Sequence, residues 1–435
     1  MHRREFMKTS AGLIAVALGG RCWSVERPAG DRRSFAFRPY RPGKTVGEVT
    51  RVTPADGFYL HTFYDVCPWS PSQRYLAVTR FPFQDREPRP GETADVCVID
   101  LHDRTIETVY RTKGWGFQLG ANLNWGATDR YLYANDLIDG QGVCVRIDLQ
   151  GREAKAFAGP MYHIAPDAFC VIGFPLDLIN ATQAGYGVPT DEKDPPVLKE
   201  KASKTQGLWR TDLASNDKTL LVSIARLYEA IPDPETLEDV VFYLFHSKFN
   251  PQGTRIMQVF RGKPAGRGMN KPMLFTFDRD GGDIRLAVRW QQWAPGGHHP
   301  NWHPDGQHLI MNLKPDGKTM RFCRFRCDGS DFTVLSEKRL GSGHPSVTPD
   351  GRWLVTDAYP HEPLALDNGE VPIRLVDLTA DEEEAICTIY TLGKGKGVLR
   401  VDPHPAWSRD HKQVCFNGAP NGDRQVYIAD LSGVI

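Results

Sequence analysis

No stretch of these 435 residues is apolar and long enough to cross a bilayer as a helix, which takes about 20 residues. Excess charge of either sign is also missing: 53 lysines and arginines offset 53 aspartates and glutamates. No basic stripe or basic patch with interleaved aromatics stands out, so no nucleic-acid partner is expected. There is no Gly-x-Ser-x-Gly elbow, which removes the serine hydrolases built on that turn. Nine cysteines are present, but none form a Cys-x-x-Cys pair. Cys97 and Cys144 hold equivalent places in VCVID and VCVRID, where a small buried apolar residue serves. Cys323 and Cys327 are four apart on an alternating strand, about 13 Å from each other when extended, too far for a disulfide. The cysteines read as structural thiols.

Histidine is scarce, at 13 residues, yet it recurs in one register. The frame is an apolar residue, any residue, then Pro and usually Asp-Gly. It occurs as Trp69-Ser70-Pro71, Ile164-Ala165-Pro166-Asp167, Phe249-Asn250-Pro251, Trp302-His303-Pro304-Asp305-Gly306 and Val347-Thr348-Pro349-Asp350-Gly351. Weaker copies are Trp125-Gly126-Ala127 and Trp407-Ser408-Arg409-Asp410. Five residues before the Pro-equivalent, the copies read Val66, Asn122, Met161, His246, His299, His344 and His404. At this histidine frequency the coincidence is on the order of 1 in 10,000 or rarer, so the register carries meaning.

Each turn is followed by a β-rich run, such as QHLIMNL (307–313) or RWLVTD (352–357). A second run often ends in aspartate, as in VCVID, VCVRID, IRLVD and VYIAD. Short β-forming runs between Gly, Asp and Asn turns predict an all-β fold. A period of about 40 to 60 residues matches four-stranded propeller blades, so seven copies predict a seven-bladed β-propeller over residues 40–435. The last copy has room for about three strands, and Val46–Val52 is expected to supply its missing outer strand and close the ring. Between the third and fourth copies, Ala181–Ser203 and Ala230–Glu238 interrupt the rhythm. These read as loops at the surface or over the channel mouth.

Residues 1–30 form a separate leader. Arg3-Arg4, then Phe6, Met7 and Lys8, then a short apolar run, match a twin-arginine export signal. A periplasmic or secreted protein is expected, with no membrane insertion after signal removal. Loss of Arg3, Arg4, Lys8 and Glu5 with residues 1–20 leaves a net charge of about −2.

Equivalent positions in a ring of blades meet near the axis, so the register histidines predict a metal or catalytic site. In His299-Pro300-type contexts, shared by His344-Pro345 and His404-Pro405, proline restricts the preceding residue and fixes the imidazole's direction. His299, His344 and His404 are therefore the expected metal ligands. Asp402, two residues before His404 on the same strand face, adds an oxygen. Mixed imidazole and carboxylate donors suit manganese or zinc better than calcium. His246 lies beside the interrupted region with Tyr186, Arg210 and Tyr228, a set that fits elimination on an acidic sugar. That chemistry requires neutralising the uronate carboxylate, removing the C5 proton and protonating the oxygen leaving C4. His246 is the expected base and Tyr228 the expected proton donor, with Arg210 or the metal on the carboxylate.

GHHPNWHPDG (297–306), GHPSVTPDGRWLVTD (343–357) and DPHPAWSRDHKQVCFNG (402–418) resemble blades of the propeller polysaccharide lyases. These are the oligogalacturonate lyases and, for the middle of the chain, the ulvan lyases. The resemblance runs from about residue 60 to the end. It implies a largely histidine-built manganese site assisting a catalytic histidine, with His344 and His404 at ligand positions. Asp402 stands where that family has another histidine. HSKFNPQGTR (246–255) resembles the ulvan lyase segment with a catalytic histidine, and Tyr228 falls where their catalytic tyrosine would. The second repeat departs from the pattern, with Asn122 in place of histidine. Two functions follow as expectations: a lyase acting on acidic oligo- or polysaccharides, or a non-catalytic periplasmic propeller binding glycans or proteins, like the Tol-associated propellers that share the Pro-Asp-Gly turn. The binding propellers need no histidine ring.

Overall fold

In the computed structural model the frame repeats become seven antiparallel sheets, the blades of a seven-bladed β-propeller. The structure describes residues 23–25, 31–190, 199–237, 239–264, 268–392 and 397–435. The innermost strands, in blade order, are Phe58–Leu60, Asn124–Trp125, His163–Ile164, Val240–Phe249, Gly297–Trp302, Ser346–Val347 and Ala406–Trp407. All strand pairs within the blades are antiparallel, and each blade's later strands lie farther from the channel.

The repeated turn has a local cause. The fourth residue of each frame turn donates its amide to the residue three back, at 2.9 Å for Gly253 and Gly306 and 2.8 Å for Gly351. That geometry ends in the left-handed region, with φ 66°, 68° and 71°, where glycine is at no steric cost. Where glycine is missing, Gln73, Ala168 and His411 adopt the same sign of φ and make the same bond. Three of the four frame tryptophans join neighbouring blades. Trp125 Nε1 donates to Pro68 O at 2.8 Å, Trp302 Nε1 to Lys248 O at 3.1 Å and Trp407 Nε1 to Ser346 O at 3.2 Å.

Ring closure uses more of the early chain than one strand. Glu48–Arg51 pairs with Gln425–Asp430, the strand expected from Val46–Val52. Beyond it Arg38–Pro39 adds a fifth strand to blade seven, and Arg33–Ser34 a fifth strand to blade one. Trp23–Val25 pairs along Glu153–Ala156 at the edge of blade two. The rest of the leader, including the arginine pair, lies outside the described residues, as does 191–198 of the first interruption. Eight cysteines, from Cys67 to Cys415, are free thiols, as expected. No helix among the described residues is long and apolar enough to cross a membrane.

Candidate active site and metal centre

The register slot precedes the innermost strand in blades two, three, six and seven, falls within it in blades four and five, and follows Phe58–Leu60 in blade one. At four of the seven slots the backbone is left-handed: Asn122 at φ 53°, His246 at 51°, His299 at 57° and His404 at 48°. In blades four and five this coincides with a break in strand register, between Phe245 and Ser247 and between His298 and Asn301. Side-chain-bearing residues there cost on the order of 1–2 kcal/mol each, and such conformations cluster where a bulge re-aims a functional group. Gly343, at φ 59°, does the equivalent work ahead of His344.

The four histidines surround Phe63. Its ring centroid lies 4.4 Å from His404, 5.2 Å from His246, 5.7 Å from His344 and 6.3 Å from His299. Beneath Phe63, Lys248 Nζ contacts the Asp65 carboxylate, with side chains 3% and 1% exposed. Tyr64, beside it, donates its hydroxyl to Pro300 O at 3.0 Å.

Two chemically distinct halves make up the cluster. In one, single donor atoms of His344, Asp402 and His404 lie within 4.8 Å of one another. His344 Nδ1 bonds Asp357 at 2.8 and 3.0 Å, a carboxylate behind the imidazole that fixes its ring and directs Nε2 inward. His344 Nε2 and both ring nitrogens of His404 are buried without a hydrogen bond. Orphaned buried nitrogens are rare and ask for a partner. Burial, with His344 adjacent, pushes the His404 pKa well below its usual value, so the imidazole is neutral, the form a metal takes. Asp402 is held by Arg400 Nε at 2.8 and 3.1 Å. Two imidazoles and a carboxylate fit manganese or zinc. His299, an expected ligand, stands outside this group. Its ring lies over His344, centroids 3.9 Å apart and planes 32° apart, and its Nδ1 is engaged by Gly343 O at 2.8 Å. The break at His298–Asn301 turns it face-on to His344 instead of converging with it.

In the other half, His246 Nδ1 bonds the hydroxyl of Tyr162, a buried side chain. Burial, then Arg261 and His344, hold the His246 pKa well below normal and keep the ring neutral. Tyr186 packs edge-on at 6.3 Å from His246, and its hydroxyl accepts a hydrogen bond from Arg400 Nη2 at 3.3 Å. Arg261 stacks over Phe245 at 4.7 Å, and Phe245 lies 3.9 Å from His246. Tyr359 O–H stands 3.4 Å from His299 Nε2.

Two expected site residues are elsewhere. Tyr228 belongs to the short helix Ile224–Glu229, started by the Ser223 cap, and its hydroxyl donates to Pro234 O at 3.4 Å while its ring packs on Phe242. Arg210 is on the third strand of blade three, away from the channel, paired with Asp280 at 3.0 Å. Sequence reasoning missed Phe63, Tyr162, Arg261, Asp357, Tyr359 and Arg400. Only Tyr162, one past the Met161 slot, and Asp357, the end of the RWLVTD run, had a positional signal.

No family model matches the chain. A curated relative, an uncharacterized protein of Agrobacterium fabrum (strain C58), is 26% identical over 148 residues. That match spans 33% of this chain and 46% of the relative, less than half its length. Among solved structures, an oligogalacturonate lyase in complex with manganese superposes with a TM-score of 0.67 at 16% identity, covering 92% of this chain and 98% of that one. An oligogalacturonate lyase from Vibrio parahaemolyticus gives 0.68 at 15% identity, covering 93% and 98%. At such identities these likenesses show the fold: over nearly its whole length the chain is similar to the propeller of those lyases.

Proposed function

We propose that this protein is an exported lyase that cleaves uronate-containing oligo- or polysaccharides by metal-assisted β-elimination. The observation that carries the reading is the meeting of the orphaned His344 and His404 nitrogens, beside Asp402, with the Tyr162-braced His246. Similarity to a propeller lyase solved with manganese supports it. His344, Asp402 and His404 would hold a divalent ion, which when bound supplies positive charge for the substrate carboxylate. Arg261, in place of Arg210, adds a guanidinium beside His246. With Nδ1–H donated to Tyr162, His246 Nε2 is free to take the C5 proton. The C4–O bond then breaks as the C4–C5 double bond forms, and Tyr186, oriented by Arg400, gives its proton to the leaving oxygen.

A binding propeller is the competing reading, favoured by one observation: His344 and His404 are fully buried, at 0% exposure. Ultraviolet absorbance of the unsaturated product, over a panel of polyuronates with and without added manganese or zinc, separates the two. His246→Ala is expected to abolish turnover and keep the metal, whereas His344→Ala loses both. Absence of any product signal in the parent protein, whatever the metal, refutes the lyase reading. Export through the Arg3-Arg4 signal belongs to the same proposal. An arginine-pair substitution that leaves the protein in the periplasm would refute that part.

A further inference from the structure

On the outer edge of the ring, far in the fold from the histidines, the early strands that close blades one and seven bring three arginines to one cavity. Arg38 and Arg51 are direct cross-strand partners in the outermost pair of blade seven. Like charges directly opposite each other on a sheet are destabilising unless something neutralises them. Neither guanidinium has a hydrogen bond or an ion pair among the described residues, and Arg51 Nε is buried with no partner. Arg33, from the outer strand of blade one, completes the group, but its charge is already met by both oxygens of Asp56. Burial is slight there, and the Arg33 contact holds the Asp56 carboxyl below its usual range, so the pair stays ionised and internally balanced. Two uncompensated positive charges remain.

These groups line a cavity of about 260 Å³ whose other walls are Phe35, Ala36, Pro54 and Ala55. That is below the roughly 300–1,000 Å³ that encloses a drug-sized ligand, and is sized for one sugar unit with its anionic group. An aromatic wall beside paired guanidiniums matches the two faces of an acidic pyranose: apolar C–H groups against Phe35, and a carboxylate in the forks of Arg38 and Arg51. We infer that this cavity is a second, non-catalytic binding site for an acidic saccharide chain, holding polymer against the rim of the propeller. The choice of a saccharide over another anion rests on the proposed lyase reading; the anion site itself rests on the arginines.

The test is binding of a soluble polyuronate to the full chain by titration calorimetry at low salt, beside a neutral polysaccharide and inorganic phosphate. His246→Ala serves as the background, so that turnover does not consume the probe. In that background the Arg38→Gln/Arg51→Gln pair is expected to weaken polyuronate binding at least 10-fold with unchanged metal content, and the same pair introduced into the chain with His246 intact is expected to leave cleavage of short oligosaccharides unchanged. Arg38→Lys is expected to fall between the parent and the double variant, since the charge survives and the fork does not. Unchanged polyuronate affinity in the double variant overturns the proposal, as does arginine-dependent binding of phosphate with none of polyuronate. Arginine-dependent polyuronate binding in a protein with no lyase signal leaves this site standing and removes the catalytic reading alone.

Discussion

Replacing Lys248 by methionine tests whether the axis of the propeller is held by charge. Lys248 follows His246 by two residues in blade four, and Asp65 comes from blade one, so their contact spans the channel under Phe63. Both side chains are essentially sealed from water, and Lys248 Nζ otherwise faces the Phe63 and Tyr64 rings at 5.3 and 5.5 Å. Removing one partner of a buried pair strands the other charge, at about 3–5 kcal/mol. Unfolding entropy near 2.1 cal/mol/K per residue gives about 0.9 kcal/mol/K for a chain of 435 residues, so Lys248→Met lowers Tm by about 3–6 °C. The double variant Lys248→Met/Asp65→Leu removes both charges and is expected to recover most of that loss, because apolar replacements of buried pairs are often neutral or better. Calorimetry on all four proteins, with reversibility checked, closes the cycle and yields a coupling of several kcal/mol. If the two single losses simply add in the double variant, the pair is not coupled and the argument fails.

Acid stability provides a second check. The Phe249 amide donates to His163 Nδ1 at 3.3 Å, and burial holds this imidazole down to about 4 from its usual 6.5. The unfolded chain therefore binds the proton first, so stability declines as pH falls from about 6.5 and the loss is largely complete near 4, amounting to at most roughly 3–4 kcal/mol. Other buried histidines, His61 among them, titrate low as well, so His163→Gln should reduce the slope of the denaturation midpoint across that window without removing it, and an unchanged slope would contradict the reasoning. Gly116→Ala would put a β-carbon 2.5 Å from Gly185 O, next to Tyr186. Overpacking of this kind costs about 1–3 kcal/mol. It should displace Tyr186 and cut turnover while metal content, read by elemental analysis, stays intact.

The blade count was legible because one turn, with its left-handed fourth residue, has to recur wherever an inner strand meets the next. Gln73, Ala168 and His411 show that the geometry persists after the glycine is gone. The histidine register was legible for the same reason, since equal distance from an equal turn puts residues at equal depth. What sequence spacing does not contain is the rotation of a side chain about that depth. His299 shares the slot of His344 and His404, yet a local break in register tilts its ring over His344. Tyr228 and Arg210 were near His246 in sequence, but a capped helix and a third strand carried them outward. Residues from unlike positions in other blades, such as Phe63, Arg261 and Arg400, had no periodic signal at all.

Asn122 and Met161 already leave the ring of histidines open in blades two and three, and blade one breaks it in a different way. Its slot holds Val66, and the preceding segment instead folds inward, with Phe63 pairing Val66 in an isolated bridge. Phe63 then occupies the centre that four converging imidazoles would otherwise leave as a polar void. Filling the axis with an aromatic ring presses the imidazoles outward into two groups. One keeps His344 and His404 at Asp402, and the other leaves His246 to Tyr162 and Tyr186. A symmetric ring of ligands would bind a metal and do nothing else. Breaking the symmetry with one apolar residue separates the His344–Asp402–His404 group from His246, the division of labour that the proposed elimination would need.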